Sequence, residues 1–283
     1  MQTVTEKPVL RQLISAWRAA GERIAIVPTM GSLHEGHLSL VEVAKQNADR
    51  VVATVFVNPT QFGPDEDFDV YPRTLKSDAD KLAAVDADLL FAPDVATVYP
   101  YGVEAATRVV VPQLTDELCG STRPGHFDGV TSVVARLFAL VQPDIAVFGQ
   151  KDYQQQLVVR RMVDDLGLPI DIIIAPIVRE TDGLAMSSRN AYLINDERQS
   201  AAMIFQVLQQ VELELLGGRR DYTKLEAEAT GLLARSFSNV DYLAIRQADD
   251  LAPPDPDSRQ VVLLAAAHIG RVRLIDNIVV DLE

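Results

Sequence analysis

The chain is poor in cysteine and in basic residues, and each shortage excludes a class of protein. Cys119 is the only cysteine among 283 residues, so no intrachain disulfide can form and a reducing cytoplasm is the expected location. Lysine and arginine number 26 against 40 aspartates and glutamates, which gives a net charge of −14. Because nucleic-acid surfaces need clustered cations, we expect no nucleic-acid partner. The lone thiol is predicted to be a small buried hydrophobe.

Three sequence patterns are also absent, and each absence disfavours a further class of protein. No apolar run reaches about 18 residues, the length that a membrane-spanning helix needs. Residues 1–7 lack the basic region and apolar core of a signal peptide, so no membrane partner is expected. No G-x-G-x-x-G pattern follows the first predicted strand, which disfavours a nicotinamide-dependent dehydrogenase.

Apolar strand-like runs alternate with helical stretches over the first part of the chain. Strands are predicted at 23–27, 51–57, 88–92, 144–148 and 171–175, and helices at 38–48, 74–85, 129–141 and 153–166. This alternation is typical of parallel βαβ units with helices on both faces of the sheet. We therefore predict an α/β fold, a Rossmann-like doubly wound parallel sheet that binds ligands at the carboxyl ends of its strands.

The pattern changes at two places. Residues 99–125, with the run Thr107–Val111, predict a β-containing insertion. After Pro176 the sequence predicts a helix at about 196–216 capped by Asn195, a helix at 223–236, a strand at 240–246 and further strands within 260–281. We predict two domains, with residues 1–176 carrying the parallel sheet and residues 177–283 forming a smaller C-terminal α+β domain.

Two histidines follow the strand at 23–27, where the chain turns into a helix. His34 and His37 lie three residues apart, so they share a helix face in its first turn. Unpaired backbone N–H groups and the positive end of the helix dipole favour an anionic phosphate there. Gly31 and Gly36 remove side chains where a ligand must approach the backbone. These residues predict a nucleotide site.

Two more polar segments predict groups for the same site. Residues 186–190, Met-Ser-Ser-Arg-Asn, offer two hydroxyls and a permanent cation to phosphate oxygens. Residues 148–156 follow a strand end, where Lys151 would neutralise phosphate and Asp152 would hold a ribose hydroxyl. Gln61, also beyond a strand end, is predicted to bind a small polar substrate.

The histidine motif resembles the HxGH motif of the nucleotidyl-transferring α/β superfamily, and residues 186–190 resemble its KMSKS-type loop. The whole set of motifs resembles one family, the pantothenate synthetases, or pantoate:beta-alanine ligases. The resemblance covers PTMGSLHEGH at 28–37, FVNPTQF at 56–62, YPRT at 71–74, RPGHFDGV at 123–130, LVQPDIAVFGQKDYQQ at 140–155 and DGLAMSSRNAYL at 182–193.

This resemblance implies a two-step ligase reaction and a set of site residues. ATP and pantoate would give pantoyl adenylate and pyrophosphate, and beta-alanine would then displace AMP. Nucleotide contacts are implied for Met30, Gly31, Ser32, Leu33, His34, Glu35, Gly36, His37, Gly149, Gln150, Lys151, Asp152, Val178, Met186, Ser187, Ser188 and Arg189. Catalytic roles are implied for His37, the proton-donor position, and for His34, Lys151, Ser187, Ser188 and Arg189. Gln61 and Gln155 would bind pantoate, with Gln61 also near beta-alanine.

The resemblance also implies Mg²⁺, because pyrophosphate departs, and a homodimer. No metal ligand is assigned, since Asp65-Glu-Asp67 is expected to be a solvated loop and Asp78 and Asp80 are weaker candidates. The residues alone leave two alternatives open. One is a nucleotidylyltransferase that stops after transferring AMP or CMP, and the other is a nucleotide-binding regulatory module without turnover. The C-terminal domain is expected to be a lid hinged near 176–185.

Overall fold

The computed structural model describes residues 1–64 and 66–282, which form two sheets with helices packed around them. The first part of the chain contains β1 (Gln2–Val4), α1 (Lys7–Ala19), β2 (Ile24–Thr29), α2 (Glu35–Asn47), β3 (Arg50–Val55), α3 (Leu75–Ala84), β4 (Leu89–Phe91), α4 (Val95–Val98), α5 (Cys119–Thr122), α6 (His126–Val141), β5 (Ile145–Gly149), α7 (Tyr153–Asp165) and β6 (Asp171–Ala175). The second part contains α8 (Asn195–Ala201), α9 (Met203–Leu216), α10 (Tyr222–Leu233), β7 (Asn239–Gln247), β8 (Gln260–Ile269) and β9 (Val272–Asp281). Short 3₁₀ turns lie at Pro59–Gln61, Gln150–Asp152 and Ser188–Tyr192.

The larger sheet is parallel, in the order β1-β4-β3-β2-β5-β6. Its inner strands are continuous apolar runs, such as Ile24–Val27 and Ile145–Phe148, and these are buried because helices cover both faces. The strand order reverses between β2 and β5, which pair at Ala25 with Ile145. A crevice for ligands forms outside the carboxyl ends of strands at such a reversal. The segments after β2 and β5 are the ones that carry the two histidines and Lys151.

The smaller sheet is antiparallel, in the order β7-β8-β9. Its central strand β8 is buried over most of its length, and α9 and α10 pack on the sheet with Leu208, Leu225 and Leu233. The packing of an apolar helix stripe on one sheet face gives this part of the chain its own core.

The predicted fold class, a doubly wound parallel sheet with a smaller C-terminal α+β part, is confirmed, and all five predicted strands of the larger sheet are present. β1 and α1 were not predicted from the sequence. The two sheets occupy residues 2–175 and 239–281, and the exact domain boundary at 176/177 stays a prediction. Among the described residues no helix combines the length and apolarity needed to cross a membrane.

Two local predictions are wrong. Thr107–Val111 pairs with no strand in the described chain, because its backbone bonds to side chains of α6 instead. Asn195 does not cap a helix: α8 begins at this residue, and the cap position is Ile194, whose N–H donates to Glu197 at 3.1 Å. The predicted helix at 196–216 is divided into α8 and α9 at Ala202. Cys119 is buried, as predicted.

Candidate active site

The loop after β2 is held in a fixed shape by a buried carboxylate. Gly31 has a φ of +84°, and an added Cβ would lie 3.0 Å from Val55 and 3.1 Å from Asp78, so only glycine fits without strain. Asp78 of α3 is fully buried and accepts hydrogen bonds from the N–H groups of Ser32 and Leu33 at 3.0 and 2.8 Å. This carboxylate fixes the start of α2 and is not a metal ligand candidate, whereas Asp80 is exposed.

The two histidines form one compact unit at the start of α2. His34 is the N-cap residue and His37 is the third helical residue, and their ring centroids lie 4.1 Å apart. The N–H of His34 donates to Nδ1 of His37 at 3.4 Å, which leaves the proton of a neutral His37 ring on Nε2. A Cβ on Gly36 would lie 3.0 Å from the His34 ring, so the glycine between the histidines makes room for that ring. Nδ1 of His34 is buried without a hydrogen-bond partner among the described residues, which is typical of a ligand site.

Both rings are neutral at physiological pH. Burial lowers the pKa of His34 to about 3, with further lowering by His37, Lys151 and Lys81. Burial, followed by Lys151 and Lys81, lowers the pKa of His37 to about 4. The rings therefore offer N–H donors, and the permanent positive charge beside them comes from the two lysines.

The turn after β5 carries Lys151 and is fixed by the smaller sheet. Asn277 of β9 is buried, and its Nδ2 donates to the carbonyls of Gln150 and Lys151 at 2.9 and 3.0 Å. Nε2 of Gln150 donates back to Oδ1 of Asn277 at 3.2 Å. The ammonium group of Lys151 forms no hydrogen bond or ion pair within residues 1–64 and 66–282, so its charge is available to a ligand.

The Met186–Asn190 segment closes over the histidine loop. Oγ of Ser188 donates to the carbonyl of Ser32 at 2.9 Å, and Oγ of Ser187 accepts from the N–H of Arg189 at 3.3 Å. Arg189 binds both oxygens of Asp67, at 2.9 and 2.7 Å. Asp67 is therefore in an ion pair, which corrects its expected place in a solvated loop, while Asp65 lies outside the described residues. Burial lowers the pKa of Arg189, but the hydrogen bonds and the negative charge of Asp67 raise it by more, so the pKa of Arg189 is raised overall.

These segments surround a cavity of about 170 Å³, which we call the histidine cavity. Of the predicted nucleotide contacts, those that line it are Met30, His34, Gly36, His37, Gly149, Lys151, Asp152, Val178, Met186, Ser187, Ser188 and Arg189. Those that do not line it are Gly31, Ser32, Leu33, Glu35 and Gln150. The structure gives Gly31 to Leu33 the role of shaping the loop, and Glu35 is exposed.

A second cavity of about 180 Å³, the glutamine cavity, lies on the other side of His37 and contains both Gln61 and Gln155. Asn58 is buried and its Nδ2 donates to Oε1 of Gln61 at 2.9 Å. This bond occupies the acceptor of Gln61, so the amide N–H₂ of Gln61 remains for a substrate. The histidine and glutamine cavities share His37, Asp152, Gln155 and Arg189 in their walls, so two ligands would meet there.

The backbone of Gln61 is also fixed from α6. Nδ1 of His126 lies 2.8 Å from the carbonyl of Gln61, and Arg123 lies 2.9 Å from the other ring nitrogen and binds both oxygens of Glu66. Burial, followed by Arg123, lowers the pKa of His126 to about 4. Nδ1–H of the neutral ring therefore donates to the carbonyl. Gly129 is required because a Cβ there would collide with the backbone of Thr60 and Gln61.

The residues that position the site were not predicted from the sequence. Asn58 and His126 lie inside motifs that were recognised, but Asp78 and Asn277 reach the site from elements that carry no motif. In the sequence, each of these residues is a polar residue on an otherwise apolar helix or strand face. That pattern points to a positioning role only once the residue is known to be buried. Within the described ranges no cluster of three or more His, Cys, Asp or Glu side chains could hold a metal ion.

Known proteins resemble this chain over its full length. The family model for pantoate-beta-alanine ligase matches residues 2–279. A pantothenate synthetase of Methylococcus capsulatus is 51% identical over 283 residues, covering 100% of this chain and 99% of the relative. A Thermus thermophilus pantothenate synthetase structure has a TM-score of 0.89 at 45% identity and covers 98% and 99% of the two chains. A Francisella tularensis pantoate-beta-alanine ligase, complexed with beta-gamma ATP and beta-alanine, has a TM-score of 0.80 at 32% identity and covers 98% and 97%.

Proposed function

Because this chain belongs to the pantoate-beta-alanine ligase family and is a ligase that condenses pantoate with beta-alanine using ATP, we propose how its two joined cavities divide that reaction. The observation that carries the proposal is the shared wall: His37 and Gln155 line both the histidine cavity and the glutamine cavity. ATP in one and pantoate in the other would place the pantoate carboxylate against the α-phosphate. That placement is what adenylation requires.

The histidine cavity suits ATP in three parts. Val178 and Met186 supply an apolar wall for the adenine, and the backbone of Val178, whose carbonyl accepts from the N–H of Met186 at 3.0 Å, is fixed there. Asp152 is the acidic side chain of this wall and would accept a ribose hydroxyl. Lys151 and Arg189, with the hydroxyls of Ser187 and Ser188, would hold the phosphates.

The first step transfers the adenylyl group. An oxygen of the pantoate carboxylate forms a bond to the α-phosphorus, the bond from that phosphorus to the bridging oxygen breaks, and its electron pair leaves with pyrophosphate. Negative charge accumulates on the phosphate oxygens as this happens. The neutral rings of His34 and His37 would donate N–H groups to those oxygens, and Lys151 adds its charge. His37 is our choice for the donor at the reacting phosphate, because it faces both cavities.

The second step uses the glutamine cavity. The amine of beta-alanine attacks the carbonyl carbon of pantoyl adenylate, the carbon–oxygen bond to AMP breaks and its electron pair leaves with AMP, and the proton lost by the amine is released to solvent. Gln61 would donate its amide N–H₂ to the pantoate oxygens and lie beside the incoming amine, while Gln155 binds pantoate from α7. Exclusion of water from this cavity would protect the anhydride from hydrolysis.

Magnesium fits the chemistry of this site. Mg²⁺ binds through substrate phosphates and several waters with only one or two protein carboxylates, so the lack of a metal-ligand cluster in the described residues does not conflict with it. Asp152 is the one carboxylate in the described wall of the histidine cavity, so an oxygen ligand from that wall would have to come from it. The bound ion would neutralise charge on the departing pyrophosphate.

A homodimer in the cytoplasm completes the proposal, and the wrongly predicted strand at Thr107–Val111 supports the dimer. The N–H of Val109 donates to Oγ of Ser132 at 2.9 Å, and the carbonyl of Val109 accepts from Oγ1 of Thr131 at 2.5 Å. The backbone groups of Arg108 and Val110 form no hydrogen bonds within the described chain, and Val110 is 55% exposed. An extended edge of this kind pairs readily with a copy of itself. Val110→Pro, which removes one N–H, should weaken a dimer measured by analytical ultracentrifugation.

The C-terminal α+β part would act as a lid hinged near 176–185. Arg179 in this segment binds both oxygens of buried Asp276 on β9, at 2.6 and 3.0 Å, and so links the connection to the smaller sheet. Burial raises the pKa of Asp276, although the hydrogen bond and the charge of Arg179 act to lower it. A lid would exclude water from the adenylate. Identical small-angle scattering with and without ATP plus pantoate would contradict a large closure.

The decisive experiment is exchange of labelled pyrophosphate into ATP with Mg²⁺ and no amine. We expect exchange that depends on pantoate, because adenylation is then reversible while the second step cannot occur. Exchange that needs a different acceptor would favour the nucleotidylyltransferase alternative, and ATP binding without exchange with any acceptor would favour the regulatory module.

A further inference from the structure

A third cavity, which we call the arginine cavity, opens beside the histidine cavity and reaches the β8–β9 turn. It has a volume of about 420 Å³. It shares Lys151, Asp152, Ser187 and Arg189 with the histidine cavity. Its far wall is formed by residues 268–275 of the smaller sheet, which carry none of the sequence motifs.

The lining of the arginine cavity is cationic although the chain is acidic. Five basic side chains, Arg123, Lys151, Arg189, Arg271 and Arg273, face three carboxylates, Glu66, Asp67 and Asp152. In the whole chain the ratio is reversed, with 26 basic against 40 acidic residues. A concentration of cations against the overall charge indicates an anionic ligand.

Two of these cations have no carboxylate partner in the described part of the chain. Arg123, Arg189 and Arg273 pair with Glu66, Asp67 and Asp241. Lys151 and Arg271 form no ion pair within residues 1–64 and 66–282. They lie at opposite ends of the cavity, Lys151 where it joins the histidine cavity and Arg271 at the β8–β9 turn.

Arg271 is exposed but its position is defined. Its guanidinium carbon lies 5.0 Å from the ring centroid of Tyr192, which ends the turn that begins with Ser188. Tyr192 donates to the carbonyl of Val70 at 3.1 Å, so the ring is itself fixed to the opposite wall. Stacking of this kind holds the guanidinium plane and leaves its N–H groups free to bind an anion.

We propose that the arginine cavity receives the pyrophosphate released by adenylation, with Arg271 as its outer ligand. The inference rests on the proposed function, because Lys151, Ser187 and Arg189 connect the cavity to the phosphate end of ATP only if ATP occupies the histidine cavity. Once the bond to the α-phosphorus breaks, pyrophosphate moves from Lys151 towards Arg271. In the reverse reaction pyrophosphate would enter by the same path, so Arg271 contributes to its binding in both directions. The smaller sheet thereby takes part in product release.

The test compares Arg271→Gln with Arg235→Gln, a matched loss of an exposed arginine that forms no ion pair in the described chain and lines none of the three cavities. The readout is pantoate-dependent exchange of pyrophosphate into ATP at varied pyrophosphate. We expect Arg271→Gln to raise the half-saturating pyrophosphate concentration about fivefold to tenfold, as for one charge-assisted contact near solvent, and Arg235→Gln to leave it unchanged. Equal thermal unfolding midpoints would show that both variants are folded.

Three outcomes would overturn the inference. An unchanged half-saturation in Arg271→Gln, with exchange intact, would remove Arg271 from pyrophosphate binding while leaving the proposed function standing. An equal rise in the KM for ATP would place Arg271 on bound ATP and not at a separate product site. A selective rise in the KM for beta-alanine would assign the cavity to the amine substrate, since it also adjoins the glutamine cavity at Arg123. Absence of exchange in the unmodified enzyme would instead contradict the proposed function.

Discussion

The two sheets of this molecule both carry polar residues to the crevice, but they use them differently. The parallel sheet ends in loops whose polar groups face the cavities, among them His37, Lys151 and Gln61. The antiparallel sheet turns its buried polar residues toward protein: Asn277 binds backbone carbonyls, and Asp276 binds Arg179. The parallel sheet therefore supplies polar groups that line the cavities, and the antiparallel sheet supplies buried groups that fix the backbone beside them.

This difference follows from sheet geometry. The carboxyl ends of parallel strands lie together at one edge, so loops after separate strands converge on one ligand. Antiparallel strands alternate in direction, so their ends are divided between two edges. The smaller sheet reaches the crevice in two places: the side of β9 contacts the turn at Gln150 and Lys151, and the β8–β9 turn lines the arginine cavity.

The largest expected effect comes from removing a group of the parallel-sheet crevice. We expect His37→Ala or Lys151→Ala to lower the adenylation rate at least about 10²-fold, because each removes a donor or charge beside the developing phosphate charge. Single-turnover formation of pantoyl adenylate measures this rate. Lys224→Ala, an exposed lysine on α10, is the matched control and should have little effect. Near-normal rates in both active-site variants would contradict a role of the parallel-sheet loops in adenylation.

The sequence predicted the parallel sheet well because its signals are local. Apolar runs such as Ile24–Val27 and Ile145–Phe148 are buried on both faces, and residues that line the cavities follow them within a few positions. The groups that support the site are different. Asn277 lies 126 positions after Lys151, whose carbonyl it binds, and nothing in either local sequence indicates that contact.

The strand predicted at Thr107–Val111 shows the same limit. Its sequence has high β propensity, yet in the described chain its backbone partners are side chains, those of α6 at Val109 and that of Thr115 at Val111, and not a strand. Propensity indicates that a segment is extended, and only the surrounding structure decides which groups it pairs with.

A second effect concerns stability, and it also separates the two regions. His34, His37 and His126 all belong to the parallel-sheet part, with pKa values lowered to about 3, 4 and 4. The unfolded chain binds protons near pH 6.5 while the folded chain does not, so the free energy of unfolding falls as the pH drops from about 6.5 toward 4. Above pH 6.5 this contribution does not change. We expect a loss of about 1 to 2 kcal/mol for each histidine between pH 7 and 5.

Urea unfolding of the unmodified chain and of His126→Gln at pH 7 and pH 5 measures this loss. Glutamine can donate and accept hydrogen bonds at the same place but does not titrate. Between pH 7 and pH 5 the free energy of unfolding should therefore fall less in the variant than in the unmodified chain. The difference should be about the contribution of one histidine. The same loss in both chains would show that His126 does not resist protonation in the folded state.

A third effect tests the supporting role of the antiparallel sheet. Asn277→Ala removes three hydrogen bonds to the turn at Gln150 and Lys151. We expect kcat/KM for ATP to fall about tenfold, because a loosened Lys151 is misplaced relative to phosphate. Gln260→Ala is the control within the same sheet, at an exposed position of β8 where the side chain binds only Asp281 among the described residues. Wild-type kcat/KM in a stably folded Asn277→Ala chain would show that the turn holds its shape without the smaller sheet.

The smallest effect comes from one glycine in a helix of each region. A Cβ on Gly36 of α2 would lie 3.0 Å from the His34 ring, whereas a Cβ on Gly231 of α10 would meet no atom of the described residues within 4 Å. Gly36→Ala should therefore displace the His34 ring and raise the KM for ATP about threefold, an effect of less than about 1 kcal/mol. Gly231→Ala should leave the KM unchanged and stabilise the chain by about 0.5 to 1 kcal/mol, because alanine favours a helix interior. Steady-state kinetics and thermal unfolding of both variants measure these changes. A rise in the KM for Gly231→Ala, or none for Gly36→Ala, would contradict the assignment of ATP contact to the parallel-sheet part of the chain.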